Sequence, residues 1–379
     1  MWRIPLFDLD YGEEEESAVL AVLRSKWLTM GEVTQQFEQA FANEIGVRHA
    51  LAVANGTVAL HLACAAAGIG PGDEVILPAL TFVATAAAVR YVGGVPVFAD
   101  ITGPDDLTIS PASIESLVTS RTRAIMVMHY GGYMCDMNAI AEIAARHHLV
   151  VLEDAAHAPG AELDGRKAGA WGLAAGFSFF SNKNLATGEG GMVTTDDDAV
   201  AAHLRRLRSH GMTTLTWDRH RGQAWSYDVT ALGYNYRPSE ILSALGLEQL
   251  KKLTGNNQCR LALTAHYHEL LGEFTPKVGL PFRRHRGIPS AHILPILLPE
   301  GADRASFMEG MKAKGIQTSI HYPPIPDFQH YRDSGERSNI PLTRTIAPRE
   351  VTLPLYPKMT LGEVESVVEA AKDTLNNVL

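Results

Sequence analysis

Short apolar runs alternate with helix-like segments along most of the chain from about residue 50 onward. The runs that predict buried strands lie at residues 50–54, 74–78, 95–99, 124–128 and 149–152. Helices are predicted at residues 56–67 and 81–92, and they end before Gly68 and Gly93 because glycine readily adopts the left-handed conformation that closes a helix. This alternation predicts a large doubly wound α/β domain around a mostly parallel sheet.

The alternation weakens after a helix predicted to end at Leu253, where the chain becomes polar. We therefore expect two domains: residues 1–253 form an N-terminal segment and the large domain, and residues 254–379 form a small C-terminal α+β domain. The elements predicted for the small domain are strands at residues 292–298 and 316–320 and helices at residues 303–314 and 360–379. Thr360 and Glu363 form a capping-box pair at the start of the last helix.

Length and composition describe a soluble globular protein. The chain has 379 residues, of which 46% are hydrophobic and 20% charged. A net charge of −9 without a long basic run argues against nucleic acid as a partner, and the apolar runs are too short to span a membrane. Residues 1–6 lack the apolar core of a secretory signal, so we expect no export. Cys64, Cys135 and Cys259 are far apart, which argues against disulfides or a metal site and predicts packing roles in a reducing cytoplasm.

Two charged runs are interpreted as solvent-exposed. Residues 13–16 are four glutamates, which favour the positive end of a helix dipole, so they predict the solvated first turn of an N-terminal helix. Residues 283–286, Arg-Arg-His-Arg, could contact a nucleotide diphosphate, but such a cluster is more typical of a solvated basic face.

Lys183 is the first candidate for chemistry. It follows an apolar segment that ends at Phe180 and precedes a glycine-rich turn at residues 188–191. A lysine in such a place can be desolvated enough to lose its proton, which a nucleophilic or Schiff-base amine requires. The alternative is a surface lysine in a loop, which is what most isolated lysines are. Other residues must decide between the two.

Two further segments fit a ligand that carries a cation and a phosphate. Asp154 ends a buried strand, where open α/β sheets bind ligands, and a buried carboxylate there needs a cation such as a pyridinium nitrogen. Asp154 could instead cap a helix. Residues 54–60 form a strand-to-helix turn in which Gly56, Thr57 and free backbone N–H groups could hold a phosphate, or could serve only capping and turn geometry.

Together these segments resemble the DegT/DnrJ/EryC1/StrS family of sugar aminotransferases, which depend on pyridoxal 5'-phosphate (PLP) and have fold-type I. The resemblance covers nearly the whole chain. Its motifs lie in order at residues 27–31, 37–38, 70–76, 81–85, 153–157, 177–191, 233–237 and 321–323. The family implies PLP as cofactor, held by Lys183 as a Schiff base.

The resemblance also implies a role for each site residue. Lys183, Asp154 and His157 are the expected catalytic residues. Cofactor-binding roles are implied for Gly56, Thr57, Phe82, Asp154, His157, Ser178, Lys183 and Asn235, and substrate-binding roles for Trp27, Thr29, His321 and Tyr322. Asp154 would pair with the pyridine nitrogen, and Phe82 would stack on the ring. Asn235 would reach across a homodimer interface to the partner's phosphate, so the sites would be shared between two chains.

The implied reaction moves an amino group from an amino acid, glutamate or glutamine, to a nucleotide-linked keto-deoxysugar. His157 favours a 4-keto-6-deoxyhexose, because relatives that aminate the 4-position often have histidine there. The alternatives are a ketocyclitol aminotransferase, a PLP-dependent sugar dehydratase, and a non-catalytic sensor on the same fold. Dehydratases of this scaffold replace the lysine with histidine or add an iron–sulfur cluster, which Lys183 and the dispersed cysteines disfavour. The intact set of Lys183, Asp154 and phosphate residues disfavours a sensor.

Overall fold

The structure is a computed structural model that describes residues 2–214, 216–222, 224–274, 278–333 and 337–378. The helices are α1 (Glu13–Ser25), α2 (Glu32–Ile45), α3 (Gly56–Ala66), α4 (Val83–Tyr91), α5 (Pro111–Leu117), α6 (Met137–His147), α7 (Asp198–Arg208), α8 (Thr216–His220), α9 (Glu240–Gly272), α10 (Arg304–Ala313), α11 (Gln329–Asp333), α12 (Pro341–Ile346) and α13 (Leu361–Val378). The strands are β1 (His49–Val53), β2 (Glu74–Pro78), β3 (Val95–Ala99), β4 (Ile101–Gly103), β5 (Asp106–Ile109), β6 (Thr122–Met128), β7 (Val150–Asp154), β8 (Glu162–Leu163), β9 (Arg166–Lys167), β10 (Ala174–Ser178), β11 (Gly191–Thr195), β12 (Leu294–Leu297) and β13 (Glu350–Leu353).

A seven-stranded sheet organises the large domain, in the order β1-β11-β10-β7-β6-β2-β3. Neighbouring strands from β10 to β3 are parallel, and β11 is antiparallel to both β1 and β10. Six strands therefore end at the same edge of the sheet. The predicted α/β class with a mostly parallel sheet is confirmed, and this shared edge is where the fold can collect side chains from several strands.

Alternate residues of the sheet build two cores, one on each face, because successive side chains of a strand point to opposite sides. In β2, Val75 and Leu77 belong to a buried cluster with α3, α4 and α7. Ile76, which lies between them, belongs to another with α2, α5 and α6. Burial on both faces explains why the strands read as continuous apolar runs.

The C-terminal domain has its own core around the β12–β13 pair, packed against α10 and α13. Thr360 and Glu363 exchange hydrogen bonds at the start of α13, which confirms the predicted cap; residue 379, in the predicted last helix, lies outside the described residues. The strand predicted at residues 316–320 is wrong. Ile316 and Ser319 form only isolated bridges, because the segment pairs with Ile4 at one residue and with Thr352 of β13 at another and does not follow either partner further.

Helix α9 continues through the polar stretch after Leu253, so the helix end predicted there is wrong. Asn257, in the middle of that stretch, is buried and hydrogen-bonded to Asn184 and to the carbonyl of Pro159. The polar stretch is thus part of a helix that contacts the large domain through Asn257, and it is not a linker. Leu253 packs in a core of the sheet and Leu263 in the C-terminal core, and we propose that the domain boundary lies inside α9. No described helix, α9 included, is both long and apolar enough to cross a membrane.

Two smaller predictions also need correction. The glutamates at the start of α1 are not all solvated, because Glu15 is buried and binds Lys252 and Gln249 of α9. The N-terminal helix is therefore attached to α9 by a buried carboxylate. Cys64 and Cys135 are buried as predicted, but Cys259 is exposed on α9 and has no packing role.

Candidate active site

A cavity of about 410 Å³ opens at the edge of the sheet where β1, β7 and β10 end. It brings together residues that are far apart in sequence, from Asn55 to Tyr322. The predicted site residues that line it are Gly56, Thr57, Phe82, Asp154, His157, Ser178, Lys183, His321 and Tyr322. The large domain and the C-terminal domain both contribute to its wall.

Lys183 lies in the loop that follows β10 and opens onto the cavity. Its backbone N–H donates to the carbonyl of Phe180 at 2.8 Å. The loop folds back at Gly190, which has a φ of +156° and where a Cβ would lie 2.5 Å from Thr187 Oγ1. The side chain is partly reached by solvent through the cavity mouth, but its dense surroundings lower the pKa of Lys183 to about 8, while the charge of Asp154 opposes that shift. An amine with this pKa loses its proton far more readily than an ordinary lysine, beginning just above neutral pH.

Asp154 is buried at the end of β7, with both carboxylate oxygens directed to donors. Oδ2 accepts a hydrogen bond from Thr85 Oγ1 at 2.7 Å and Oδ1 accepts one from the backbone N–H of Ala156 at 3.2 Å. Burial nevertheless raises the pKa of Asp154 above its ordinary value, and these bonds and the charge of Lys183 offset burial only in part. No described residue forms an ion pair with Asp154. A cation in the cavity would complete its environment.

The first turn of α3 forms the opposite wall. Asn55 caps the helix by accepting the N–H of Val58 at 3.0 Å, while the N–H groups of Gly56 and Thr57 lie in the first turn, where no intrahelical acceptor exists. Glycine is required at position 56, because a Cβ there would lie 2.6 Å from Ser178 Cβ. This close approach brings the Ser178 hydroxyl next to the first turn of α3 on the cavity wall that Thr57 also lines, a setting that suits a phosphate.

His157 has a single tautomer fixed by its neighbours. Its Nδ1 accepts the backbone N–H of Gly131 at 3.2 Å, so the ring proton lies on Nε2, which is 2.9 Å from Tyr322 Oη. Burial and the nearby charges of Lys183 and His321 hold the pKa of His157 well below its ordinary value, so the ring is neutral. The ring of Phe82, 52% exposed over the cavity, lies 5.7 Å from that of Tyr322.

Several residues that position the site have no strong signal in the sequence. Thr85 bonds to Asp154 and also to Thr81 at 2.7 Å; the spacing of these threonines by four residues at a helix start was the only available signal. Asn184, next to Lys183, donates to Asn257 and to the carbonyl of Ser290, both at 2.8 Å. These long-range bonds fix the lysine loop to α9 and to the C-terminal domain.

Three predicted site residues lie elsewhere in the described part of the chain. Trp27 packs against the rings of Trp217 and His220, and Thr29 bridges to Ser239. Asn235 is exposed. Within one chain, none of the three lines the cavity.

The basic cluster at residues 283–286 lines a separate cavity, together with Asp105 and Asp106. Its three arginines are exposed, and Arg286 pairs with Asp164 at 2.6 Å. The cluster thus has the character of a solvated, partly neutralised surface.

A mostly parallel sheet with a desolvated lysine beside a buried carboxylate at its edge defines a fold-type I PLP enzyme. Comparison with known proteins agrees: residues 9–372 match the model of the DegT/DnrJ/EryC1/StrS aminotransferase family, and the chain belongs to this family. The spore coat polysaccharide biosynthesis protein SpsC of Bacillus subtilis is 40% identical over 369 residues, which are 96% of this chain and 94% of that protein.

Solved structures show the same architecture. PseC of Helicobacter pylori, an aminotransferase involved in pseudoaminic acid biosynthesis, has 30% identity and a TM-score of 0.91 over 100% of this chain and 99% of its own. The PLP form of the putative sugar aminotransferase Spr1654 of Streptococcus pneumoniae has 26% identity and a TM-score of 0.91, with 100% and 99% covered. The predicted aminotransferase activity and PLP cofactor are thereby confirmed.

The cavity fits this cofactor. Asp154 has no ion-pair partner in the part of the chain that the structure describes, and a protonated pyridine nitrogen would supply the missing cation. The N–H groups of the first turn of α3, which have no intrahelical acceptor, suit its phosphate, and Lys183 has the lowered pKa that covalent attachment requires.

Proposed function

We propose that this enzyme transfers an amino group from glutamate or glutamine to a nucleotide-linked keto-deoxysugar, with a 4-keto-6-deoxyhexose as the preferred acceptor. One observation carries the proposal: Lys183, with its pKa lowered to about 8, shares a cavity with the uncompensated carboxylate Asp154. That pair is the machinery of amino transfer, and the remaining cavity wall must select the acceptor.

The cofactor-binding residues are assigned by their chemistry. We infer that Asp154 holds the pyridine nitrogen and that Phe82 covers the ring. Gly56, Thr57 and Ser178 bind the phosphate, since all three line the cavity at the start of α3, where backbone N–H groups have no intrahelical acceptor.

PLP supplies an electron sink that makes the α-proton of the bound amino acid acidic. Lys183 is the group that removes and returns protons, because its lowered pKa lets the amine, once released from the cofactor, both accept and give up a proton near neutral pH. Asp154 keeps the electron sink active by remaining ionised against the pyridine nitrogen. His157, held neutral and in one tautomer, keeps Tyr322 at a fixed place on the cavity wall.

Support for a sugar acceptor comes from the relatives, since SpsC is a protein of spore coat polysaccharide biosynthesis and Spr1654 is a putative sugar aminotransferase. Support for the 4-keto position is His157, the residue type that family members with this regiochemistry often have beside Asp154. A pocket must place one carbonyl within bonding reach of the amino group, and misplacement by about 1 Å costs on the order of 100-fold in rate. One regioisomer should therefore react well.

The test is a single-turnover assay. The enzyme is loaded with glutamate or glutamine until its visible absorbance reports the aminated cofactor, and then each ketosugar is added separately. We expect a nucleotide-linked 4-keto-6-deoxyhexose to restore the original spectrum fastest. If a 3-keto isomer or a ketocyclitol restores it while 4-keto sugars do not, the acceptor assignment is wrong.

We further infer a homodimer with sites built from both chains. Trp225 and Leu232 are 95% and 89% exposed in a single chain, and Asn235 lies on the same segment, away from its own cavity. A partner subunit would bury the apolar pair. Mixing Lys183→Ala protein with Asn235→Ala protein should restore part of the activity, because one site of a mixed dimer carries neither change. No recovery after verified subunit exchange would contradict shared sites.

We also infer that the enzyme works in the reducing cytoplasm. Cys64, Cys135 and the exposed Cys259 are all free thiols, and an exposed free thiol persists best where disulfides do not form. Cell fractionation with an antibody to the protein tests this; recovery in an oxidising compartment would overturn it.

A further inference from the structure

A buried carboxyl group lies behind the active-site cavity and is not accounted for by the chemistry above. Glu350 begins β13, and Thr352 lies two residues further on the same face of the strand. Both side chains are 1% exposed. They lie next to His321, which lines the cavity together with Lys183 and Asp154.

A continuous chain of hydrogen bonds joins these residues. Glu350 Oε1 is 2.6 Å from Thr352 Oγ1, and Thr352 Oγ1 is 2.8 Å from His321 Nδ1. The backbone of His321 is fixed as well: its N–H donates to Glu350 Oε2 at 2.7 Å, and its carbonyl accepts from Tyr130 Oη. His321 Nε2 has no hydrogen-bond partner among the described residues, so it is the ring atom left free to bind a ligand.

We propose that Glu350, acting through Thr352, is a positioning residue that sets the tautomer of His321 and thereby decides whether Nε2 donates or accepts a hydrogen bond in the active site.

The donor and acceptor of each hydrogen bond between Glu350, Thr352 and His321 follow from counting protons, because a hydroxyl group donates only one hydrogen bond. If Glu350 is ionised, Thr352 donates to it, His321 Nδ1–H donates to Thr352, and Nε2 is a bare acceptor. If Glu350 carries a proton on Oε1, that proton goes to Thr352, Thr352 donates to Nδ1, and Nε2 carries the hydrogen. The second state contains one more proton than the first. When a proton binds to Nε2, the Nδ1 proton moves to Thr352 Oγ1 and the hydroxyl proton of Thr352 moves to Glu350 Oε1, so the imidazole stays neutral and the carboxylate becomes a carboxylic acid.

The surroundings favour the second state at neutral pH. Burial raises the pKa of Glu350 to about 8, although Thr352, the His321 N–H and the charge of Arg304 oppose the shift. Tyr130 and Tyr322 are the other ionisable groups facing the carboxyl, and burial raises the pKa of both well above the ordinary value. Burial and the charge of Lys183 lower the pKa of His321 to about 3, so the ring stays neutral. His321 therefore presents an N–H donor to ligand oxygens, and becomes an acceptor when Glu350 ionises.

The test is nuclear magnetic resonance of the holoenzyme labelled with ¹⁵N-histidine, because the protonated and bare nitrogens of a neutral imidazole resonate far apart. His321 is assigned by the signal that His321→Gln lacks. We expect the wild type to change from Nε2–H to Nδ1–H between about pH 6.5 and pH 9.5, around the carboxyl's raised pKa. Glu350→Gln, whose amide imitates the protonated carboxyl, should keep Nε2–H at both pH values.

Thr352→Val should abolish the pH-dependent exchange, while Thr352→Ser, which keeps the hydroxyl, should restore it. Thr374→Val is the matched control, because this buried hydroxyl donates to the carbonyl of Ala370 in its own helix, away from the cavity. We also expect Thr352→Val to slow the first half-reaction by about 10-fold, less than the roughly 100-fold that misplacement of a group by about 1 Å can cost. The proposal is wrong if the wild type shows no pH-dependent exchange of tautomers. It is also wrong if Glu350→Gln and Thr352→Val show the same exchange as the wild type. Neither outcome depends on the identity of the amino acceptor.

Discussion

Two adjacent carboxylates at the end of β7 show how one strand serves two purposes. Glu153 points to one face of the sheet, where it accepts hydrogen bonds from the backbone N–H groups of Gly169, Trp171 and Gly172 and pairs with His129 at 3.0 Å. Although burial alone would raise it, these contacts bring the pKa of Glu153 below its ordinary value. On the other face, Asp154 has fewer donors and its pKa is raised.

The contrast teaches what distinguishes a structural carboxylate from a functional one at equal burial. The environment of Glu153 is complete without any ligand, so its charge stabilises the fold. The environment of Asp154 is incomplete and faces a cavity, so its charge destabilises the fold until a cation binds. The following predictions test this difference, beginning with the largest effect.

Asp154→Asn should reduce amino transfer by orders of magnitude, because a neutral amide cannot keep the pyridine nitrogen protonated. Single-turnover kinetics with glutamate measures the loss. The matched variant Glu153→Gln should keep most of its rate once folded. Equal losses in the two variants would mean that the two faces do not differ in function.

Glu153→Gln should instead lower the free energy of unfolding by about 3 kcal/mol, because it leaves buried donors without a charged acceptor. Urea denaturation of the cofactor-free protein measures this. Glu142→Gln, which makes the same change at an exposed position of α6, is the control and should be neutral. Asp154→Asn should cost little or stabilise slightly.

The pH dependence of stability should have opposite signs for the two residues. Since the pKa of Glu153 is lowered from about 4.5, its stabilisation is present above that pH and is lost as the pH falls through the folded pKa. Since the pKa of Asp154 is raised from about 3.8, the folded chain holds the extra proton, and stability falls as the pH rises through the folded pKa. Urea denaturation of the wild type, Glu153→Gln and Asp154→Asn across acidic pH gives the contribution of each carboxylate to the free energy of unfolding. If the two contributions change with pH in the same direction, the proposed difference between Glu153 and Asp154 is wrong.

Thr85→Val should have the smallest effect, a rate about 10-fold lower, because one hydrogen bond to a charged group contributes about 1.5 kcal/mol or more. Thr195→Val, which removes a buried hydroxyl at the opposite edge of the sheet, serves as control. A decrease as large as that of Asp154→Asn would assign Thr85 a direct role in the chemistry.

The sequence predicted the sheet and the cavity residues better than it predicted the contacts that support them. Strands such as β2 are buried on both faces, so their apolar runs were readable, and Lys183 and Asp154 belong to motifs with fixed neighbours. The end of α9 was misread because Asn257 is polar for a tertiary reason, its bonds to Asn184 and Pro159. Burial of Glu15 and the chain from Glu350 to His321 likewise depend on residues far apart in sequence, which local patterns do not report.

The central claim is that Lys183 holds the cofactor, and borohydride reduction followed by peptide mapping tests it most directly. The purified enzyme should absorb visible light, lose that absorbance on reduction, and yield one cofactor-modified peptide containing Lys183. Lys183→Ala should bind PLP without being labelled and lose amino transfer by orders of magnitude, since both attachment and proton transfer disappear. A label on another lysine, or near-normal turnover of Lys183→Ala, would contradict the account.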